Sequence, residues 1–446
     1  MSSANDTIVA IATPPGRGGI GVVRISGSRV RAIANALCGI ELEPRRVQLT
    51  AFAGTDGTAI DRGLALFFAA PHSFTGEDVL ELHAHGSPIV LDALVRRACE
   101  LGARGARAGE FSERAFLNGK LDLNQAEAVA DLIAARSEVQ ARAALRSLEG
   151  EFSRRADALA KLIVRLRVEV EAAIDFSDDA SESASKPVIE RLFEDAANGL
   201  QGLLAAARRG VRLTDGMHAV IVGEPNVGKS SLLNALAGND RAIVTEMPGT
   251  TRDVLRESIV LADVELTLAD TAGLRESTDL VEGEGIRRAR AELARADLVL
   301  RVVERKAAVA GATLFDGAPP SAARIVIINK IDLDGAPPLR SERDGALCIA
   351  LSARTGEGLD LLRTALREAA LGGERGGEFS ARSRHVFALE RADASLQNAR
   401  SALATATPEL IAEDLVAAQR ALGEIVGTFT SEDLLGAIFS TFCVGK

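Results

Sequence analysis

Eight residues, Gly223-Glu-Pro-Asn-Val-Gly-Lys-Ser230, have the types and spacing to hold a triphosphate. An apolar run, His218–Val222, precedes them, and an amphipathic stretch, Ser231–Leu236, follows. Strand, glycine-rich loop and helix start, ending on Gly-Lys-Ser, make a phosphate-binding loop. Its glycines let successive backbone N–H groups turn toward phosphate oxygens at a helix N-terminus. Lys229 would reach the β- and γ-phosphates, and the Ser230 hydroxyl would ligate Mg²⁺. Asn226, Val227, Gly228 and Ser231 complete the segment expected to touch nucleotide.

Four further elements follow in one order. Asp270, Thr271, Ala272 and Gly273 come after the strand-like run Val264–Ala269. The aspartate would reach Mg²⁺ through water, and the glycine N–H would face the γ-phosphate. Asn329, Lys330, Ile331 and Asp332 come after Arg324–Ile328. The Asp332 carboxylate can accept two hydrogen bonds, from guanine N1–H and the 2-amino group. Adenine lacks that donor pair, so this element selects GTP over ATP. Ser352, Ala353 and Arg354 come after Cys348–Leu351 and would back the base from its other side. Between the first and third elements lies Gly249-Thr250-Thr251-Arg-Asp253, whose Thr251 can ligate Mg²⁺ once a γ-phosphate is bound. Five elements in this order, each behind a strand, specify GTP binding.

Ras-type GTPases carry a glutamine after Asp-x-x-Gly to orient the attacking water, but here Leu274 stands there. Leucine neither donates nor accepts a hydrogen bond, so hydrolysis needs another device. Asn226 could offer its side-chain oxygen to a monovalent cation that does the work of an arginine finger. Glu282, in Val281-Glu-Gly-Glu-Gly285, could position the water, although spacing alone reads it as a solvated loop charge.

Positioning these loops takes a domain, and 446 residues exceed one compact core, so roughly two to four domains are expected. No apolar run reaches the roughly 18 residues of a spanning helix, and the N-terminus lacks a signal-peptide pattern. Cys38, Cys99, Cys348 and Cys443 are scattered without a C-x-x-C pair, which speaks against structural zinc or a disulfide framework. A cytoplasmic protein is expected. Its net charge of −10 argues against broad non-specific affinity for nucleic acid, so a nucleic-acid substrate would need a local basic patch.

Residues 1–119 alternate strand-like runs (Thr7–Ala12, Ile20–Ile25, Leu64–Ala69, Val79–His83) with turn signals and hold one helical stretch, Ser87–Leu101. They read as a small α+β domain. From about 120 to 213 the period becomes helical. Apolar residues from Leu145 to Ile174 step by three or four as one long helix, and Phe176–Pro187 reads as a solvated turn before a second helix, Val188–Arg208. Residues 215–370 alternate strands and helices as a doubly wound sheet does. A glycine-rich joint, Gly372–Gly377, leads back to helical pattern at Leu410–Val426 and Leu434–Phe442. The expected fold class is multidomain α/β and α+β. A Ras-like, doubly wound P-loop GTPase domain is inserted in a two-segment helical domain, behind an N-terminal α+β domain.

As a whole the chain resembles the MnmE (TrmE) family of tRNA-modification GTPases. The resemblance rests on Asp6-Thr-Ile-Val-Ala10, Thr13-Pro-Pro-Gly-Arg-Gly-Gly19, Gly109-Glu-Phe-Ser-Glu-Arg-Ala-Phe-Leu117, Gly249-Thr-Thr-Arg-Asp253 and the terminal Cys443-Val-Gly-Lys446. It implies a tetrahydrofolate-binding and dimerisation domain over 1–119, helical halves over 120–214 and 372–446, and a GTPase domain over 215–371. It further implies a 5-formyl- or methylene-tetrahydrofolate contacted by Arg24, Glu81, Lys120 and Lys446. K⁺ would be held by the side chains of Asn226 and Thr250 and the carbonyls of Thr245 and Met247. Glu246, Pro248 and Gly249 would line the same nucleotide-facing stretch. Ser230 and Thr251 would hold Mg²⁺, and Glu282 would orient the water. A homodimer would close on GTP, partnered in a heterotetramer by a flavoprotein (GidA/MnmG) that carries FAD. The pair would install an aminomethyl or carboxymethylaminomethyl group at C5 of the wobble uridine of certain tRNAs.

Two readings of Cys443 stand side by side. Its thiolate could add to uridine C6 and so serve as a catalytic nucleophile, or it could simply pack where the tail meets the folate site. His83 and His85 flank that site. Glu304 stands where many relatives have aspartate. A ribosome-assembly GTPase would share the nucleotide elements but leaves residues 1–119 and the tail without a role. A stand-alone folate one-carbon transferase with a regulatory GTPase domain is the other alternative.

Overall fold

The structure is a computed structural model. It describes residues 6–175, 182–237, 256–261, 264–270, 291–305, 322–343, 346–371, 379–403, 408–428 and 432–445. The chain forms two compact units. The first comprises Met1–Ile133, Ser147–Ala197 and Arg391–Lys446, and the second Ala134–Arg146 and Asn198–Glu390.

In the first unit, six strands order as β3-β4-β5-β2-β1-β6. They are β1 Ile8–Ile11, β2 Gly18–Ser26, β3 Gln48–Ala53, β4 Ala59–Phe68, β5 Val79–Gly86 and β6 Arg104–Gly105. Alternation assigns their faces. Val23, Ile25, Ala65, Phe67, Leu80 and Leu82 join a core with the helices Val30–Cys38 and Pro88–Glu100, while Arg24, Glu81 and His83 occupy the intervening positions. Pro88 opens its helix at the first turn, where its missing N–H costs nothing. The helix Val30–Cys38 and the strand Gln48–Ala53 go beyond the sequence expectation. Arg29 provides no side-chain cap to signal the helix, and Leu49 and Ala51 leave the strand without a buried stripe on that face.

An ionic network ties β1, β6, the loop before β5 and the helix Glu110–Leu117 together. Arg114, 9% exposed, donates to Asp6 Oδ1 at 2.6 Å, Glu77 Oε2 at 3.0 Å and Glu110 Oε1 at 3.3 Å. Arg104 donates to Asp6 at 2.6 Å and to Glu110 at 2.5 Å. Burial by itself would raise the Glu110 pKa. Bonds from the Arg104 guanidinium and the Arg107 backbone N–H, with both positive charges, outweigh it and hold the pKa at about 2, against 4.5 unperturbed. A carboxylate depressed on folding stabilises above its unfolded pKa, and that stabilisation fades as pH falls from 4.5 toward 2. Glu110→Gln should therefore cost about 3 kcal/mol at pH 7. Urea titrations of both proteins across that range should show their difference shrinking; a difference constant in pH would deny Glu110 this role.

The expected long helix from Leu145 is interrupted. Gly150 adopts φ +84°, and the structure has two helices, Glu138–Leu148 and Glu151–Asp175. The second packs on Pro408–Val426, burying Phe152, Ile163, Leu166, Leu415, Ala418 and Leu422. The following helix begins at Glu182 rather than Val188 and runs to Thr214, with Pro187 inside it, so part of the expected turn is helical. Helix Glu432–Ser440 and the residues after it set Ile438, Phe439 and Phe442 against Phe116 and Leu123. Beyond it, Val444 bridges Ala108, and the Gly109 N–H donates to the Cys443 carbonyl at 3.3 Å. Gly445, at φ +96°, lies so close to β1 that an added Cβ would sit 2.3 Å from the Ile11 oxygen.

Among its described residues the second unit has a seven-stranded sheet ordered β12-β13-β11-β10-β7-β9-β8. Its strands are β7 Met217–Val222, β8 Arg256–Leu261, β9 Val264–Asp270, β10 Leu298–Glu304, β11 Ala323–Asn329, β12 Leu339–Arg343 and β13 Ala346–Ala350. β9, β7, β10, β11 and β13 run parallel, and β8 and β12 are antiparallel edges. Ile221, Leu300, Ile327 and Ile349, from four neighbouring strands, share one core with Leu232, Leu362 and Leu366. From β7 the chain continues to β9 on one side and then to β10 on the other. Such a reversal opens a crevice at the C-terminal strand ends, where ligands of doubly wound sheets bind.

Candidate nucleotide and one-carbon sites

The phosphate loop occupies that crevice, between β7 and the helix Lys229–Ala237. Two glycines are required by contact. A Cβ on Gly223 would meet the Val302 oxygen at 2.3 Å, and one on Gly228, at φ +98°, would meet Asn329 Nδ2 at 2.3 Å. Asn226 takes φ +64°, a left-handed conformation that asparagine tolerates better than most residues. Lys229 is 5% exposed. Its ammonium donates to the carbonyls of Gly223 at 3.0 Å and Glu224 at 2.8 Å. Ser230 and Ser231 are exposed at the helix start, where unpaired backbone N–H groups and the helix dipole favour anions. The Ser230 hydroxyl is an oxygen donor of the kind Mg²⁺ takes.

Asn329 joins three loops. Its Nδ2 donates to the Val227 carbonyl at 2.8 Å, and its Oδ1 accepts the Ala353 N–H at 3.0 Å. Only 3% exposed, it ties the phosphate loop and the loop after β13 to its own. The Ser352 hydroxyl donates to Asp332 Oδ1 at 2.7 Å and accepts from the Thr355 N–H at 3.2 Å. A short 3-10 turn, Ile331–Leu333, carries Asp332, and Arg354 is exposed. Asp270 ends β9, but its side chain lies outside the described residues. So do Thr245, Glu246, Met247, Pro248, Gly249, Thr250, Thr251, Thr271, Ala272, Gly273, Leu274 and Glu282.

In the first unit, strand register pairs Arg24 on β2 with Glu81 on β5. The guanidinium donates to Glu81 Oε1 at 2.9 Å and stands 5.3 Å from the Phe74 ring centroid and 5.8 Å from that of Phe111. The ionic network above anchors both aromatics, since Phe111 follows Glu110 and Phe74 precedes Glu77. A carboxylate, a guanidinium and two rings suit a flat heterocycle with N–H donors. His83 Nε2 lies 3.5 Å from Glu81 Oε2, and His85 pairs with Asp61 at 2.9 Å. Lys120 is exposed. Lys446 lies outside the described residues, but Gly445 before it abuts Ile11, one residue beyond Ala10, the register partner of Arg24. Cys443 is exposed.

Sequence reasoning missed Phe74 and Phe111, whose role depends on two distant segments meeting over Arg24. It also missed the bridging role of Asn329. Among the described residues no group of three or more His, Cys, Asp or Glu side chains is arranged to hold a metal ion. Among them, too, no helix is long and apolar enough to cross a membrane.

A family profile described as the GTP-binding protein TrmE N-terminus matches residues 7–120. A second, the MnmE helical domain, matches residues 123–443. The tRNA modification GTPase MnmE of Methylococcus capsulatus is 55% identical over 99% of this chain and 99% of its own length. That of Stutzerimonas stutzeri is 52% identical over the whole of both. Among solved structures, the G domain of the T. maritima FeoB iron transporter covers 34% of this chain and 98% of its own, at 25% identity. Its TM-score of 0.26 is too low to add weight. Two profiles that together span most of the sequence, and relatives more than half identical from end to end, place this chain in the MnmE family of GTPases.

Proposed function

We propose that this chain is a GTP hydrolase of tRNA modification that helps place an aminomethyl or carboxymethylaminomethyl group on C5 of the wobble uridine of certain tRNAs. The observation that carries the GTPase half is Asn329, which ties the phosphate loop to the two loops expected to grip guanine. The relatives' printed name, tRNA modification GTPase, supports the substrate. Within this reading, residues 1–119 bind tetrahydrofolate and dimerise, 120–214 and 372–446 form the helical domain, and 215–371 form the GTPase domain.

The one-carbon donor in this reading is 5-formyl- or methylene-tetrahydrofolate. Arg24 and Glu81 would orient its heterocycle, with Lys120 and Lys446 reaching its anionic parts. Mg²⁺ would be held by Ser230 and Thr251, with Asp270 acting through water. K⁺ would be held by Asn226, Thr245, Met247 and Thr250, supplying transition-state positive charge in place of an arginine finger. Glu282 would orient the attacking water, and GTP would close a homodimer. Such a homodimer would work with a FAD-bearing flavoprotein (GidA/MnmG) in a heterotetramer, in the cytoplasm.

Nucleoside mass analysis of tRNA from cells lacking this protein tests the proposal. The C5-substituted wobble uridine should disappear and return with the wild-type gene. An unchanged nucleoside profile alongside defective ribosomal subunits would instead favour the ribosome-assembly reading. GTP turnover should also be faster in KCl than in NaCl; equal rates would remove Asn226 as a K⁺ ligand.

A further inference from the structure

Glu304 is the last residue of β10, and its register partner is Asn329. The next residue along the chain from β11, Lys330, takes φ +67°, a left-handed conformation that costs a non-glycine residue roughly 1–2 kcal/mol. Bonds hold the residues on both sides of it. Asn329 is held by Val227 and Ala353, and the Ile331 N–H donates to the Leu351 carbonyl. The Lys330 side chain returns to β10, where its ammonium donates to Glu304 Oε1. Two-thirds of that side chain is buried, whereas nearly half of Glu304 is exposed.

We infer that Glu304 is a positioning residue of the guanine pocket: by anchoring the Lys330 ammonium on β10, it sets the lysine's methylene stem as one wall of that pocket. This rests on the guanine reading of residues 329–332. A lysine stem tethered at both ends presents CH₂ groups, the surface against which a flat base packs, and keeps its charge at the rim. Asp332 then remains the charged partner for the base edge. An untethered lysine would spend its time among many rotamers, and nucleotide binding would have to order it. As a half-exposed ion pair, Glu304–Lys330 contributes little to stability. Its effect belongs in binding.

Isosteric Glu304→Gln in the full chain tests this, with fluorescent GDP and GTP as probes. The dissociation constants of both should rise in parallel by about five- to tenfold. Turnover at saturating GTP should stay within about twofold, with the melting temperature unmoved. Glu304→Asp should recover part of the affinity. In a Lys330→Met background, which keeps an unbranched stem without charge, Glu304→Gln should have no further effect. Unchanged affinity in the single variant, or a penalty that persists undiminished once Lys330→Met is present, overturns the inference. A wild-type chain that bound no guanine nucleotide would overturn the reading beneath it instead.

Discussion

Asp332→Asn should lower affinity for GTP by about 10⁴-fold while admitting XTP. In the proposed site the carboxylate would accept from guanine N1–H and from the 2-amino group. An asparagine offers one acceptor and one donor, so one guanine donor would face another donor in a confined site. The surrounding bonds decide which end faces the base. The Ser352 hydroxyl already donates to Oδ1 at 2.7 Å, and its own oxygen is taken by the Thr355 N–H. An asparagine therefore keeps its oxygen toward Ser352 and turns its amide nitrogen to the base. Xanthine has a carbonyl at C2 and matches that donor. Competition binding of GDP against XDP reads the switch directly. If the variant holds GDP within tenfold of wild type, Asp332 does not read the base.

The second large effect belongs to Lys229→Ala, expected to slow GTP hydrolysis by about 10²–10³-fold. In the structure the ammonium is buried and caps the carbonyls of Gly223 and Glu224. These bonds hold the amine at the mouth of the loop, so an arriving triphosphate meets a desolvated charge already in place. The γ-phosphate adds charge that GDP lacks, so affinity for GTP should fall more than affinity for GDP. Single-turnover hydrolysis with a stability control separates lost chemistry from a loosened loop. Hydrolysis within tenfold of wild type would place the catalytic charge elsewhere.

Much of the nucleotide site was legible because its parts are local. A strand, a turn and a helix start lie within a few residues of one another, so Gly223–Ser230, Asn329–Asp332 and Ser352–Arg354 announce themselves by composition and order. The same locality made the runs at β1, β2, β4 and β5 readable. It failed where the signal was weak or false. The helix Val30–Cys38 has no side-chain cap, and β3 exposes Leu49. An unbroken apolar stripe hid the left-handed turn at Gly150.

Sequence alone thus pointed to GTP binding, the alternation of folds and the family, since each follows from short-range pattern. Tertiary structure decided which distant groups meet. It brought Asn329 to Val227 and Ala353, Lys330 back to Glu304, and Gly445 against Ile11. It also put Arg24 opposite Glu81 between Phe74 and Phe111, backed by the bonds of Arg104 and Arg114. The physical reason is that strand register and buried ion pairing join residues dozens to hundreds of positions apart, and no local periodicity encodes those partners.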